Sequence, residues 1–185
     1  MNRKRLAELV KEFLVEVGYD PDDAALKKTP SRVASLVAEM VENSQRDIRK
    51  EFQTYRTDTK NEVVILKDIP FFSFCEHHML PFFGQVHIAY VPRDGIVGGF
   101  SHFVTLVNTL SRRLQLQERL GDEIADAVMD VLDPEGALVA IEARHLCVEM
   151  RGEEPAGTKA LTVSARGRLK DPDEMKSVLS LFGNK

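Results

Sequence analysis

The sequence predicts an α+β fold, and three observations carry the prediction. Apolar residues recur at helical spacing in two stripes before residue 50. Four apolar, β-branched or alternating stretches follow, two on either side of a second pair of helical stripes. Finally, 185 residues with 43% hydrophobic content suffice for one core but not for two full domains. The core order is therefore ββααββ. It lies within a domain at residues 51–185, behind an N-terminal helical region at residues 1–50.

The first helix is expected over residues 6–17, where Leu6, Leu9, Val10, Phe13, Leu14 and Val17 share a face and Gly18 supplies a C-terminal cap. Thr29-Pro30-Ser31-Arg32 then sets a cap residue and a first-turn proline before Val33, Leu36, Val37 and Met40. This second helix is expected to reach about residue 46. Residues 51–61 are polar and mixed, and read as a connection. Glu62-Val63-Val64-Ile65-Leu66 and the alternating residues 84–91, stopped by Pro92, read as strands. A loop opened by Pro70 and closed by Pro81 and Gly84 lies between them. Ser101 is placed to cap a helix carrying Phe103, Val104, Leu106, Val107 and Leu110, and residues 117–132 form another around Leu120, Ile124, Ala127, Val128 and Val131. After the turn Asp133-Pro134-Glu135-Gly136, strands at residues 138–150 and 159–169 close the core, joined through Gly152 to Gly157. A short helix over residues 173–181 completes the reading.

Bulk properties exclude several classes. Lys and Arg number 25 against 29 Asp and Glu, a formal charge of −4, so no global basic field recommends nucleic acid as a partner. No apolar run approaches the roughly 18 residues that a membrane span needs. The basic start Met1-Asn2-Arg3-Lys4-Arg5 leads into no continuous apolar stretch, so no secretory signal is read and the expected compartment is the cytoplasm.

The two cysteines both lie beside histidines, in Cys75-Glu76-His77-His78 and His145-Leu146-Cys147. Three borderline or soft donors, Cys75, His78 and Cys147, suit Zn2+ and leave a fourth tetrahedral position open, the pattern of a catalytic ion. Glu76 is the residue that could close it. His77 and His145 remain as acid–base candidates, because imidazole titrates near neutral pH. The clusters are 147 − 75 = 72 residues apart, and alternation along a strand would put His145 and Cys147 on one face.

Taken together, Ser73-Phe74-Cys75-Glu76-His77-His78, then Gln115-Leu116-Gln117-Glu118-Arg119-Leu120, then His145-Leu146-Cys147 with Arg151-Gly152 resemble the GTP cyclohydrolase I family over residues 26–169. The resemblance implies a tunnelling fold, an antiparallel sheet with two helices packed on one face, assembling into rings. It implies a homodecamer of two pentamers with active sites between subunits. Zinc then falls on Cys75, His78 and Cys147, and acid–base work on His77 and His145. Glu118, with Gln117, would hold guanine, since a carboxylate accepts from both N1–H and the exocyclic amine. Ser101 would act near the ribose, and Arg151 and Arg32 would meet phosphate. The implied reaction is hydrolysis of a guanine nucleotide at C8 with formate release, GTP becoming 7,8-dihydroneopterin triphosphate.

Departures cluster at the phosphate end. His102 stands where the resembled pattern has lysine, Thr105 where it has arginine, and Ser35 where it has another lysine; Glu153 and Glu154 add negative charge after Gly152. Each lost charged contact is worth about 1.5–3 kcal/mol. Arg112, Arg113, Lys159 and Arg166 are the cations available to compensate. Two further readings stand beside the first: a hydrolase of the same scaffold acting on a guanine nucleotide or nucleoside with fewer phosphates, and a purine- or pterin-binding module without catalysis.

Overall fold

Helical spacing at the N-terminus produces two helices. In the computed structural model, which describes residues 1–41, 47–58, 63–152 and 157–183, α1 spans Arg3–Glu16 and α2 spans Thr29–Val41. Asn2 caps α1 by accepting from the Arg5 N–H at 3.0 Å, and Gly18 (φ 86°) turns the chain after it. Pro30 lies in the first turn of α2, and Ala34 and Ala38 are buried four residues apart where α1 packs. The expected helix end near residue 46 lies outside the described residues, as does Glu62. Contacts divide the chain into units Met1–Asn43 and Ser44–Lys185.

The second unit runs β1 (Thr54–Arg56), β2 (Val64–Cys75), β3 (Pro81–Val91), β4 (Ile96–Gly98), α3 (Phe100–Ser111), β5 (Leu114–Gln115) and α4 (Gln117–Leu132). It continues through β6 (Gly136–His145), α5 (Leu146–Glu149), β7 (Ala160–Gly167) and α6 (Pro172–Gly183). Five strands form one sheet in the order β5-β2-β3-β6-β7, antiparallel except for the two-residue parallel pairing of β5 with β2; β1 and β4 form a separate ribbon. Alternation decides the two faces. Val86, Ile88 and Tyr90 of β3 with Val139 and Ile141 of β6 pack against Phe103, Leu106, Leu120, Ile124 and Val128 of α3 and α4. Ala89, Val91, Leu138 and Ala140 face Val178 of α6 on the other side. The α+β arrangement with two helices on one face is the one the sequence predicts, with α6 added opposite. Among the described residues no helix is long and apolar enough to cross a membrane.

Four local expectations are corrected. Pro70 does not open a loop: β2 continues through it to Cys75, with Pro70 opposite Gln85. Proline is tolerated there because β5 pairs only with Phe74 and Cys75, so among the described residues the outer side of β2 has no ladder to break at Pro70. Ser101 does not cap α3, which begins one residue earlier behind Gly99 with no side-chain cap. The strand expected over residues 138–150 ends at His145, and the next four residues turn as α5.

Gly84 closes no loop either; it lies inside β3 opposite Ala143. A Cβ there would stand 1.9 Å from the Glu142 carbonyl oxygen, so only glycine lets β6 approach. Gly84→Ala is expected to cost about 3 kcal/mol in urea unfolding. His87, on the same strand, stacks on Phe182 at 5.3 Å and its Nδ1 accepts from the Asp68 N–H at 3.1 Å. Burial pushes its imidazole below the ordinary value. Below about pH 6.5 the unfolded chain takes up a proton that the folded ring refuses, so stability falls as pH drops from there towards the depressed folded pKa. The urea midpoint should therefore be lower at about pH 5.5 than at about pH 7.5, and His87→Gln should narrow the difference.

Candidate metal centre and active site

Cys75 ends β2, and a tight reversal returns the chain to β3. The Met79 N–H donates to the Cys75 carbonyl at 2.8 Å, the Cys75 N–H donates to that of Leu80 at 2.9 Å, and Met79 takes the left-handed φ of 53°. The reversal carries Glu76, His77 and His78. Glu76 is held on two sides: its N–H donates to the Gln115 carbonyl at 3.1 Å, and its carboxylate pairs with Arg119, whose Nε also donates to Gln115 Oε1 at 2.8 Å. Arg119 therefore occupies the carboxylate that could have closed the metal site. Arg119→Leu releases that carboxylate towards the fourth position and should tighten metal binding about tenfold in a chelator competition.

Cys147 arrives by a different route from the one its spacing suggests. Because β6 stops at His145, Cys147 is the second residue of the one-turn helix α5, closed by the Met150 N–H on the Leu146 carbonyl at 3.0 Å. Arg144 clamps this turn through two bonds to Glu149, at 2.9 and 2.6 Å. His145 and Cys147 thus do not share a strand face, yet Cys147 still meets Cys75. The ligand atoms of Cys75, His78 and Cys147 all lie within 4.8 Å of one another, with both cysteines buried and His78 exposed. A tetrahedron with Zn–S bonds of ~2.3 Å has edges of about 3.8 Å, so a small contraction seats an ion. Burial first, and the neighbouring Cys75 next, push the Cys147 thiol up. A cation between the sulfurs would offset both causes, so the donor set fits a metal.

Around this centre the structure gathers some of the expected residues. His145 stacks on Phe82, its cross-strand partner, with ring centroids 5.0 Å apart and planes 5° from parallel. Its Nε2 lies 2.7 Å from Gln117 Oε1. Burial lowers its pKa, while the charges of Glu118 and Glu149 pull the other way. Glu118 is exposed in the first turn of α4, electrostatically within reach of His145. His77 is exposed, edge-on to His78 at 6.3 Å, and Arg151 Nη1 donates to His78 Nε2 at 3.3 Å. A pocket of about 200 Å³ is lined by His145, Val148, Glu149, Thr158, Lys159 and Ala160.

Other expected residues stand elsewhere. Ser101 is exposed in the first turn of α3, and its carbonyl accepts from the Thr105 hydroxyl at 3.0 Å. The pocket of about 530 Å³ that precedes it, lined by Tyr90, Val97, Gly98 and Phe100 among others, shares no lining residue with that of His145 among the described residues. His102 leans over Phe52 at 5.6 Å, with Nδ1 buried and unpartnered among the described residues. Arg32 is exposed on α2 of the N-terminal unit. Of the compensating cations, Arg113 pairs with Glu123, Arg166 with Asp122 and Asp126 at 2.9 and 2.6 Å, and Lys159 with Glu142 at 2.6 Å. Glu153 and Glu154 lie outside the described residues. Sequence reasoning overlooked Arg119 and Phe82. Arg119 was within reach, since it lies four residues after Gln115 on the same cluster; nothing local marks Phe82.

Fold and site together define a class: an α+β protein whose strand end and helical turn bring two cysteines and a histidine close enough to bind a metal, beside a histidine–glutamine pair. Comparison narrows it. The model of the family described as GTP cyclohydrolase I matches residues 6–183. GTP cyclohydrolase 1 of Streptococcus agalactiae serotype Ia is 44% identical over 182 residues, covering 98% of this chain and 97% of the relative. That of Geobacillus kaustophilus is 42% identical over 183 residues, covering 98% and 97%; that of Lysinibacillus sphaericus is 45% identical over 172 residues, covering 93% and 90%. A solved structure of the archaeosine synthase QueF-Like in the apo form is 22% identical, covering 59% of this chain and 97% of that one with a TM-score of 0.48. The chain belongs to the GTP cyclohydrolase I family, and is an enzyme of that type.

Proposed function

We propose that this enzyme opens the guanine imidazole ring of GTP at C8, releases formate and yields 7,8-dihydroneopterin triphosphate, using Zn2+ held by Cys75, His78 and Cys147. The convergence of those three donor atoms within 4.8 Å carries the reading. Bound there, the ion supplies Lewis acidity, the means of activating water near neutral pH. Glu118 orients the base through N1–H and the exocyclic amine. His145, half-buried beside Glu118, and His77, on the solvent side, handle protons at the ring nitrogens. Arg151, next to His78, with Arg32 and His102, meets the phosphates, and Ser101 serves the ribose.

The ring assembly, a decamer of two pentamers, is part of this proposal. Two features support it: β7 is an edge strand with Leu161 65% and Val163 38% exposed, and the pocket before Ser101 is separate from that of His145. A second copy would cover the first and join the second. The proposed setting is the cytoplasm, where thiol ligands stay reduced.

Incubation of zinc-loaded protein with GTP, GDP, GMP and guanosine, followed by formate and by the fluorescence of oxidised pterin, tests the reading. Formate and pterin from GTP are expected. A preference for GMP or guanosine would establish the second reading, favoured by His102 and by the pairing of Arg113 and Arg166 with carboxylates. Guanine binding without product from any of them would leave a binding module.

A further inference from the structure

The side chain of Gln117 is 2% exposed and bonded at both ends. Its Nε2 lies 2.9 Å from the Ile141 carbonyl oxygen, 3.1 Å from that of Ala160 and 3.1 Å from Thr162 Oγ1. Two of those partners are backbone carbonyls, which only accept, so this end of the amide is the NH2 group. Turned the other way, the amide would set oxygen against oxygen. The partners thus fix an orientation that electron density alone rarely settles. The other end, Oε1, lies 2.7 Å from His145 Nε2 and has no hydrogen to give. Nε2 therefore carries one. In a neutral imidazole the lone pair is then left on Nδ1. Phe82, stacked against the ring, holds its plane.

We propose that Gln117 is the positioning residue of His145: anchored to β6 and β7, it holds the imidazole as the Nε2–H tautomer and so leaves the ring's lone pair on Nδ1. This rests on the reading of His145 as an acid–base group. It also removes Gln117 from the guanine contacts, because both ends of its amide are engaged inside the protein, and leaves recognition of the base edge to Glu118.

The test uses the full-length, zinc-loaded protein labelled with 15N at its five histidines. Solid-state NMR reads the tautomer, and the His145 signals are assigned by their loss in His145→Asn. The parent should show neutral His145 with its proton on Nε2, and Gln117→Met should shift the population towards Nδ1–H. With GTP, Gln117→Met should lower kcat on the order of 10²-fold with KM within about threefold. An Nδ1–H tautomer in the parent overturns the proposal; so does a raised KM with kcat intact, which would return Gln117 to the substrate. If Gln117→Met fails to fold, the parent spectrum alone decides. The tautomer readout needs no turnover, so it is separable from the underlying reading, which would fail instead through undiminished activity of His145→Asn.

Discussion

Cys147→Ala should lose the metal ion and turnover together while keeping the fold. Cys147 is 6% exposed, and replacing its side chain with a methyl group removes one buried sulfur, a change worth about 1 kcal/mol. Its effect on the ion is far larger, because two donors remain where three converged. A Lewis-acid ion contributes several kcal/mol to such a hydrolysis, which corresponds to about 10³-fold or more in rate. Metal content should fall from one ion per chain to none, and formate release from GTP should fall with it. A second readout separates this from simple unfolding. Chelation should lower the Tm of the parent, because an ion that binds only the folded state stabilises it; the variant's Tm should ignore the chelator. A full complement of metal in Cys147→Ala would remove this residue from the centre.

Glu118→Gln should lower kcat/KM for GTP by about 10²-fold or more. Guanine presents two donors along one edge, and a carboxylate offers two acceptors; a carboxamide offers one acceptor and turns a donor against the other guanine N–H. Each charged bond lost costs about 1.5–3 kcal/mol. The substitution also removes a charge that supports protonation of His145, so part of the loss should appear in kcat. Inosine triphosphate, which lacks the exocyclic amine, gives the sharper comparison. The parent should prefer GTP strongly and the variant should lose much of that preference. An unchanged ratio of the two substrates would assign the base edge to another residue. Because Glu118 is exposed, stability should change only by the fraction of a kcal/mol that a first-turn carboxylate contributes, about 0.3–1 kcal/mol.

What could be read in advance depended on how local the physics was. Cys75 and His78 declared themselves because metal donors three residues apart need only a turn between them. The partnership with Cys147 was legible from chemistry, but the geometry behind it was not. Val139, Ile141, Ala143, His145 and Cys147 all fall on one parity, so nothing in the alternation marks the end of β6; the stop comes from Arg144 folding onto Glu149. Elements of two or three residues, β1, β4 and β5, are shorter than any periodic window. Pro70 and Gly84 misled for the same reason: their usual meaning as breakers gives way to strand neighbours that sequence does not display. The engagement of Gln117 was hidden most deeply, since its partners lie on two strands 24 to 45 residues away. Glu118, one residue on, faces solvent and kept its apparent availability.

The route by which Cys147 reaches Cys75 has a consequence in time. When the reversal after β2 leaves the ribosome, its cysteine and histidines have no third partner until 72 further residues have been made. At about 5–20 residues per second that interval is roughly 4–14 s. Over it, β2 and β3 can pair as neighbours in sequence, but β6 and the turn that bears Cys147 do not yet exist. A metal ion held by all three donors would therefore have to wait until Cys147 has been made, and the young thiol of Cys75 depends on its surroundings, not on its own fold, to stay reduced until then.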